Sequence, residues 1–315
     1  MVLIGLGNIG QGYDYNESSQ NCILTHAQAL SSDSRFELIG AVDPVREKRD
    51  VFKKKFKKLA WASINDIDAS TNPDVFVVAT PANSRIDVFN QIFSRFRPQA
   101  ILCEKPLALS SDEANCVLEK CRTNDSKLFL NFIRRADPAV QKIKTLLERR
   151  VITGKFCGVC WYSFGLYNSA SHFCDLFNFF FGDPKAWGRR SLLSLSKNTE
   201  DFDLNFFVEY QNGDIEFKVL PSSKVFHNQF DIFFENYLIS CNKNGNFSCS
   251  EVVRDKYSNE RFVFSEQSLL IPSEMKFYQK NIYEHLNLAL SQQQHSLSSG
   301  DDGLKLTGMF EELKQ

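Results

Sequence analysis

Val2-Leu3-Ile4-Gly5-Leu6-Gly7-Asn8-Ile9-Gly10 opens the chain with an apolar run and, directly behind it, the pattern G-x-G-x-x-G. Each glycine has its own physical task. Gly5 permits the tight turn out of the strand, Gly7 lets a diphosphate approach the backbone, and Gly10 lets the following helix pack close to the strand. The helix N-terminus, with Asn8 and Ile9 in its first turn, then faces the phosphates. A glycine-rich turn alone is weak evidence. Its weight comes from what surrounds it.

Working outward, Phe36–Val42, Val75–Thr80 and Ala100–Cys103 are further apolar runs, separated by amphipathic stretches such as Arg46–Phe56 and Ser84–Phe93. This alternation is the signature of βαβ units and a parallel sheet. Ser110-Ser111-Asp112-Glu113 is a capping box opening a helix through Cys121, and Leu128–Phe132 reads as a closing strand. Asp137-Pro138 starts a further helix as N-cap and first helical residue. Beyond it the pattern changes. Leu204, Phe206, Val208 and Tyr210 alternate, Asn212-Gly213 turns the chain, and Ile215, Phe217 and Val219 alternate back. Phe230–Cys241 and Phe247–Val253 read as another pair around Asn242–Gly245, and helical patterns return at Phe277–Leu290 and Leu304–Leu313. The fold class expected is α/β: an N-terminal Rossmann domain over residues 1–130, then a C-terminal α/β domain over 131–315 with an open, mostly antiparallel sheet.

Asp43 stands at the end of the second apolar run. An acid there hydrogen-bonds the adenosine ribose and repels a 2′-phosphate, favouring NAD, while nearby Arg46 leaves NADP open. The gap from the glycines to Asp43 exceeds the usual ~20 residues, the surplus being the polar stretch Gln11–Gln20 ahead of a helical pattern at Ile23–Leu30. The competing reading makes Asp43 the start of a turn with Pro44.

Bulk properties exclude several classes. The 315 residues are 43% hydrophobic and 24% charged, with 37 basic against 38 acidic residues and a net charge of −1. That balance offers no field for nucleic acid or an anionic membrane. No run approaches the ~20 apolar residues of a membrane span, and Met1–Gly5 lacks the basic flank and cleavage site of a signal peptide. Nine cysteines without a framework point to a reduced, cytoplasmic protein. Cys157 and Cys160 form C-x-x-C inside an expected strand, Lys155–Phe164, where they face opposite sides, so no metal site is expected. The 29 phenylalanines imply aromatic-rich cores.

Ala79-Thr80-Pro81 closes one strand and Cys103-Glu104-Lys105-Pro106 the next; Asn131, Arg134, Arg135 and Pro138 follow, then Asn168-x-x-x-His172-x-x-Asp175, then Gly300-Asp301-Asp302-Gly303-Leu304. Together with the glycine turn, this ordered set resembles the glucose-fructose oxidoreductase, inositol dehydrogenase and MocA family (Gfo/Idh/MocA) over nearly the whole chain. The resemblance implies hydride transfer between NAD(P) and a carbinol or carbonyl carbon of a sugar, cyclitol or nucleotide-linked sugar. It also implies a homodimer or homotetramer assembled through the open sheet. Cofactor contacts are implied for Thr80, Pro81, Glu104 and Lys105, and a cis peptide before Pro106 that turns Lys105 toward the nicotinamide.

Lysine at a strand's C-terminal end sits where open α/β sheets bind ligands. Free lysine titrates near ~10.4, so as a base it needs burial and a cationic neighbour to lower it; alternatively it stays charged and holds the substrate oxygen. His172, at the start of an expected helix Ser171–Phe181, is the natural proton-relay partner, with Lys105 the catalytic pair. Asp175, one turn on, orients the imidazole or caps the helix. Asn168 replaces the aspartate of the commoner family pattern and cannot take a proton, and Arg85 stands where many relatives carry histidine. Tyr167 and Arg135 complete the substrate-binding candidates, each open to a packing role. A catalytically inactive dinucleotide-binding regulator or scaffold is the alternative function.

Overall fold

A computed structural model describes residues 1–195, 201–220, 224–258 and 260–315. The chain divides into two compact units, Met1–Ala136 with Lys276–Glu311, and Asp137–Met275 with Glu312–Gln315.

In the first unit, strands β1 (Val2–Ile4), β2 (Gly40–Val42), β3 (Leu59–Trp61), β4 (Val75–Val78), β5 (Ala100–Cys103) and β6 (Lys127–Leu130) pair in parallel in the order β6-β5-β4-β1-β2-β3. Helices α1 (His26–Ser32), α2 (Arg46–Phe56), α3 (Arg85–Arg95) and α4 (Ser111–Thr123) supply the crossovers. β4 and β5 are buried at every position, as expected of continuous apolar runs covered on both faces. The predicted Phe36–Val42 run pairs only from Gly40, and α1 begins at His26 rather than Ile23.

That later start has an identifiable cause. The glycine turn is followed by one π-type turn, Asn8–Gly12, before the polar insertion leaves the helical path. Asp14 gathers the insertion, its carboxylate accepting the Leu24 and Thr25 N–H groups and the Thr25 hydroxyl. Thr25 then caps α1 by accepting the Gln28 N–H. Lys55 donates to the Asp14 and Tyr15 carbonyls from α2.

The second unit begins with α5 (Pro138–Glu148), capped by Asp137. Strands β7 (Phe156–Tyr162), β8 (Ala186–Leu195), β9 (Phe202–Tyr210), β10 (Gly213–Val219), β11 (Gln229–Phe234), β12 (Tyr237–Cys241), β13 (Phe247–Arg254) and β14 (Phe262–Ile271) form one sheet in the order β14-β13-β12-β11-β7-β10-β9-β8. Every pairing is antiparallel except β7 with β10. The Phe230–Cys241 stretch is two strands, not one: Glu235-Asn236 makes a hairpin turn, and the Asn236 amide bridges Val151 and Thr153. On one face α6 (Ser171–Phe181) packs its Phe177 ring edge-on to Phe217 at 5.8 Å and Phe230 at 5.0 Å. Phe206 stacks on Phe217 at 4.3 Å. Here the phenylalanine surplus is spent.

The expectation that everything after residue 130 forms the second domain requires correction. Helix α7 (Tyr278–Leu290), strand β15 (Ser298–Ser299) and most of α8 (Gly300–Lys314) belong to the first unit. β15 adds to the sheet antiparallel to β6. The reason is apolar burial: Ile282, Tyr283 and Leu286 of α7 share a core with Leu3, Ala27 and Leu30. α8 opens where the glycine-aspartate motif expected, with Ser299 and Asp302 exchanging side-chain and backbone hydrogen bonds.

Candidate functional site

All the expected dinucleotide contacts lie in the first unit, at the C-terminal ends of β1, β2, β4 and β5. Gly5 has φ +99°, a left-handed value favouring glycine, and a Cβ there would stand 2.7 Å from the Ala79 carbonyl oxygen. At Gly10 a Cβ would meet the Gly5 carbonyl oxygen at 2.2 Å. Around Gly7, by contrast, nothing lies within 4 Å of an added Cβ. The three glycines thus divide as the sequence implied: two hold the turn together and one leaves its outer side open. First-turn N–H groups of Asn8 and Ile9 are those a helix leaves uncommitted, so the turn fits a diphosphate.

Beside it is a cavity of about 510 Å³ lined by Leu6, Gly7, Asn8, Gln11, Gly12, Tyr15, Glu47, Lys48 and Val51. Gln11 braces its wall by donating to the Lys48 carbonyl at 2.9 Å. Asp43 is buried at the end of β2, and its carboxylate accepts the Leu6 N–H at 2.8 Å and the Val45 N–H at 2.9 Å. The Lys48 ammonium stands 3.8 Å away. Asp43 therefore ties the glycine turn to the loop after β2, and its remaining lone pairs keep capacity for a ribose hydroxyl.

Thr80 and exposed Pro81 lead from β4 to α3. Arg85, at the start of α3, is 2% exposed and donates from Nη2 to the Thr80 carbonyl at 3.3 Å. Its Nε and Nη1, and the Thr80 hydroxyl, have no hydrogen-bond partner among the described residues. Arg85 lies near the buried Cys103 thiol, which burial pushes above its ordinary range. Lys105 is half-buried past the end of β5, and the Lys105–Pro106 peptide is cis, as the resemblance implied.

Sequence reasoning missed the surroundings of Glu104. Its Oε1 accepts from Asn131 Nδ2 at 2.5 Å and lies 3.0 Å from His26 Nε2. His26 is fully buried, and its Nδ1 lies 3.0 Å from the Tyr283 hydroxyl. Burial drives the Glu104 carboxyl upward, but hydrogen bonds from His26 and Asn131 and the charges of His26 and Lys105 outweigh it, leaving it below its ordinary range. Burial first, and then the Glu104 charge, raise the Tyr283 hydroxyl well above its usual range. His26 carries no motif spacing that would have singled it out.

The remaining candidates fall elsewhere. Arg135 belongs to the first unit, buried, with Nη1 3.2 Å from Asp302 Oδ2 of α8. Tyr167, Asn168, His172 and Asp175 belong to the second unit, on a π-type turn Leu166–Ala170 running into α6. There Asp201 accepts the backbone N–H groups of Tyr167 and Asn168. Asn168 is exposed, His172 half-exposed, and Tyr167 and Asp175 are buried. The Cys157–Cys160 pair does split across the strand, Cys157 exposed and Cys160 buried. Among the described residues no cluster of three His, Cys, Asp or Glu is placed to hold a metal, and no helix is long and apolar enough to cross a membrane.

A parallel sheet with this strand order, carrying a glycine turn and an acid at the ends of its first two strands, defines a dinucleotide-binding Rossmann unit. Residues 1–132 match the profile of the GFO_IDH_MocA oxidoreductase family, described as an NAD-binding Rossmann fold. The chain is 26% identical over 152 residues to inositol 2-dehydrogenase of Rhizobium meliloti, covering 46% of this chain and 39% of that protein. It is 25% identical over 159 residues to the rhizopine catabolism protein MocA of the same organism, covering 50% and 45%. These alignments thus span less than half of either relative's length. The fold is shared across almost the whole chain. A Bordetella pertussis WlbA dehydrogenase, solved with NADH and UDP-GlcNAcA, superposes with TM-score 0.73 at 16% identity over 99% of this chain and 93% of that one. An Agrobacterium radiobacter oxidoreductase solved with NAD+, L-tartaric acid and magnesium gives TM-score 0.74 at 17% identity over 97% and 92%.

Proposed function

We propose that the protein is an NAD(P)-dependent oxidoreductase that interconverts a carbinol and a carbonyl on a sugar, a cyclitol or a nucleotide-linked sugar, with NAD as the favoured dinucleotide. The observation that carries this reading is Glu104-Lys105-Pro106 at the end of β5, on the same sheet edge as the open glycine turn. The dinucleotide, when bound, supplies the hydride acceptor or donor. Gly7, Asn8 and Ile9 present backbone N–H groups to its diphosphate, and Asp43 offers lone pairs to the ribose. Lys105 as a neutral amine takes the hydroxyl proton during oxidation, and as an ammonium returns it during reduction.

Substrate recognition is assigned to Tyr167, Asn168, His172 and Asp175, following the family pattern, with His172 as the relay. Arg135, whose Nη1 lies 3.2 Å from Asp302 Oδ2, is kept as a further candidate of this group. The inositol dehydrogenase relative and the UDP-sugar in the WlbA complex support polyhydroxylated substrates. Self-association is assigned to the outer face of the second sheet, where Phe262 is 61% and Leu270 73% exposed on edge strand β14. Nine free cysteines support a reducing, cytoplasmic setting.

The test is NADH formation at 340 nm with a panel of inositols, free sugars and UDP-sugars, repeated with Lys105→Ala. Turnover lost with NAD binding retained supports the reading. Tight NAD binding without turnover on any substrate favours a non-catalytic dinucleotide binder, to which the exposed Asn168 in place of an aspartate would be the pointer.

A further inference from the structure

Histidine at position 26 is fully buried in the first turn of α1, far in sequence from its side-chain hydrogen-bond partners. Its two ring nitrogens meet Tyr283 from α7 and Glu104 from the end of β5, both at 3.0 Å. Since Glu104 is a carboxylate, the Nε2 atom facing it carries a proton. The Tyr283 hydroxyl keeps its own proton and serves Nδ1 as donor to a neutral ring or as acceptor from a charged one. Asn131 adds a second donor to the same Glu104 oxygen.

We propose that His26 is a positioning residue for Lys105: clamped between Tyr283 and Glu104, it holds the Glu104 carboxylate fixed as the anion against which Lys105 gains and loses its proton. This assignment rests on the reading of Lys105 as the proton carrier. A carboxylate at this depth keeps its charge only while donors surround it. The groups that act on it are His26 from α1, Asn131 after β6 and Lys105 in the adjoining position, while the Glu104 charge in turn keeps the Tyr278 and Tyr283 hydroxyls of α7 protonated. Removing His26 takes away a hydrogen bond that favours the carboxylate anion, so burial prevails and Glu104 takes up a proton. Lys105 then loses its anionic neighbour and releases its own proton more readily.

The arrangement also assigns a role to the return of the chain into the first unit. Tyr283 fixes the imidazole orientation through Nδ1, so α7 supports the strand-end lysine through His26 and Glu104. An ordinary core histidine would need none of this: a buried imidazole is satisfied by any two partners, whereas here one partner adjoins the proposed catalytic residue.

Competitive acetylation of the full chain with acetic anhydride across the neutral-to-alkaline range, read by peptide mass spectrometry, reports the titration of Lys105 without any substrate. His26→Phe and Glu104→Gln are each expected to lower its midpoint by about 1 pH unit, and the double variant to lower it no further. His26→Gln, which retains an N–H for Glu104, is expected to stay near the unsubstituted protein. Should His26→Phe melt too early to label, Tyr283→Phe keeps the ring, removes the hydroxyl, and is expected to shift Lys105 in the same direction by less. An unchanged Lys105 midpoint in the folded variants, or shifts that add in the double variant, overturns the proposal. NADH formation is scored separately, so a chain that oxidises nothing yet shows this pattern loses the dehydrogenase reading, and with it the catalytic purpose of the clamp, while the coupling of His26 and Glu104 to the Lys105 titration stands.

Discussion

Alanine at Gly7 and alanine at Gly10 should fail in opposite ways. At Gly10 the added methyl would lie 2.2 Å from the Gly5 carbonyl oxygen, over an ångström inside ordinary contact distance. The oxygen belongs to the backbone and the position of a Cβ is fixed by it, so the turn must open. Overpacking of this kind costs about 1–3 kcal/mol, and in a unit of this size each kcal/mol lowers the melting temperature by about 2–4 °C. A fall of roughly 2–12 °C is therefore expected, with or without dinucleotide. Gly7 has φ −76° and ψ −161°, which alanine adopts freely, and nothing stands within 4 Å of its added Cβ. Its melting temperature should hold or rise slightly, since alanine at a compatible glycine position gains about 0.4–1 kcal/mol through the unfolded chain. The methyl does, however, fill the space a diphosphate must enter. Losing one charge-assisted hydrogen bond costs about 1.5–3 kcal/mol, or roughly a 10- to 100-fold weaker Kd. Calorimetric titration with NAD+ alongside thermal melts separates the two effects. A Gly7→Ala protein that binds NAD+ as tightly as the unsubstituted chain would refute the placement of the diphosphate. A Gly10→Ala protein that melts normally would refute the close approach of the turn.

Asp137→Ala removes the α5 cap and the acceptor of the Ser273 hydroxyl and Glu274 N–H, so a loss of about 1–3 kcal/mol is expected in urea unfolding. Phe177→Ala empties a fully buried site ringed by Phe173, Phe217 and Phe230 and should cost about 3–5 kcal/mol, seen as a lowered denaturation midpoint. His285 and His295 are both held below the ordinary histidine range, chiefly by burial, and each Nδ1 accepts a backbone N–H. Their contribution is complete above pH ~6.5 and is lost as pH falls through the lowered folded values, because the unfolded chain binds those protons first. Melting temperature should therefore drop between neutral and mildly acidic pH, and His285→Gln should flatten that drop; an unaltered slope would remove His285 from the cause.

Parts of the site were legible because their signals are local. The glycine turn, the acid ending the second strand, the Glu104-Lys105-Pro106 corner and the Asp137 cap each express themselves within a few residues. The Gln211-Asn212 turn between β9 and β10 was read from its asparagine-glycine signal, whereas the Glu235-Asn236 turn was not, because neither residue demands a left-handed backbone and the apolar pattern runs through it. The insertion after Gly10 was visible only as surplus length; that Asp14 and Lys55 pin it, and so delay α1 to His26, depends on contacts no periodicity encodes.

By itself the sequence determined the alternation of strand and helix, the class of cofactor turn and the antiparallel character of the second sheet, since backbone periodicity and turn chemistry are properties of neighbouring residues. Tertiary structure alone decided which residues gather around Glu104. His26 and Glu104 are 78 positions apart and His26 and Tyr283 are 257 apart. They meet because α7 must bury Ile282, Tyr283 and Leu286 somewhere, and the apolar face of α1 is where that burial is available.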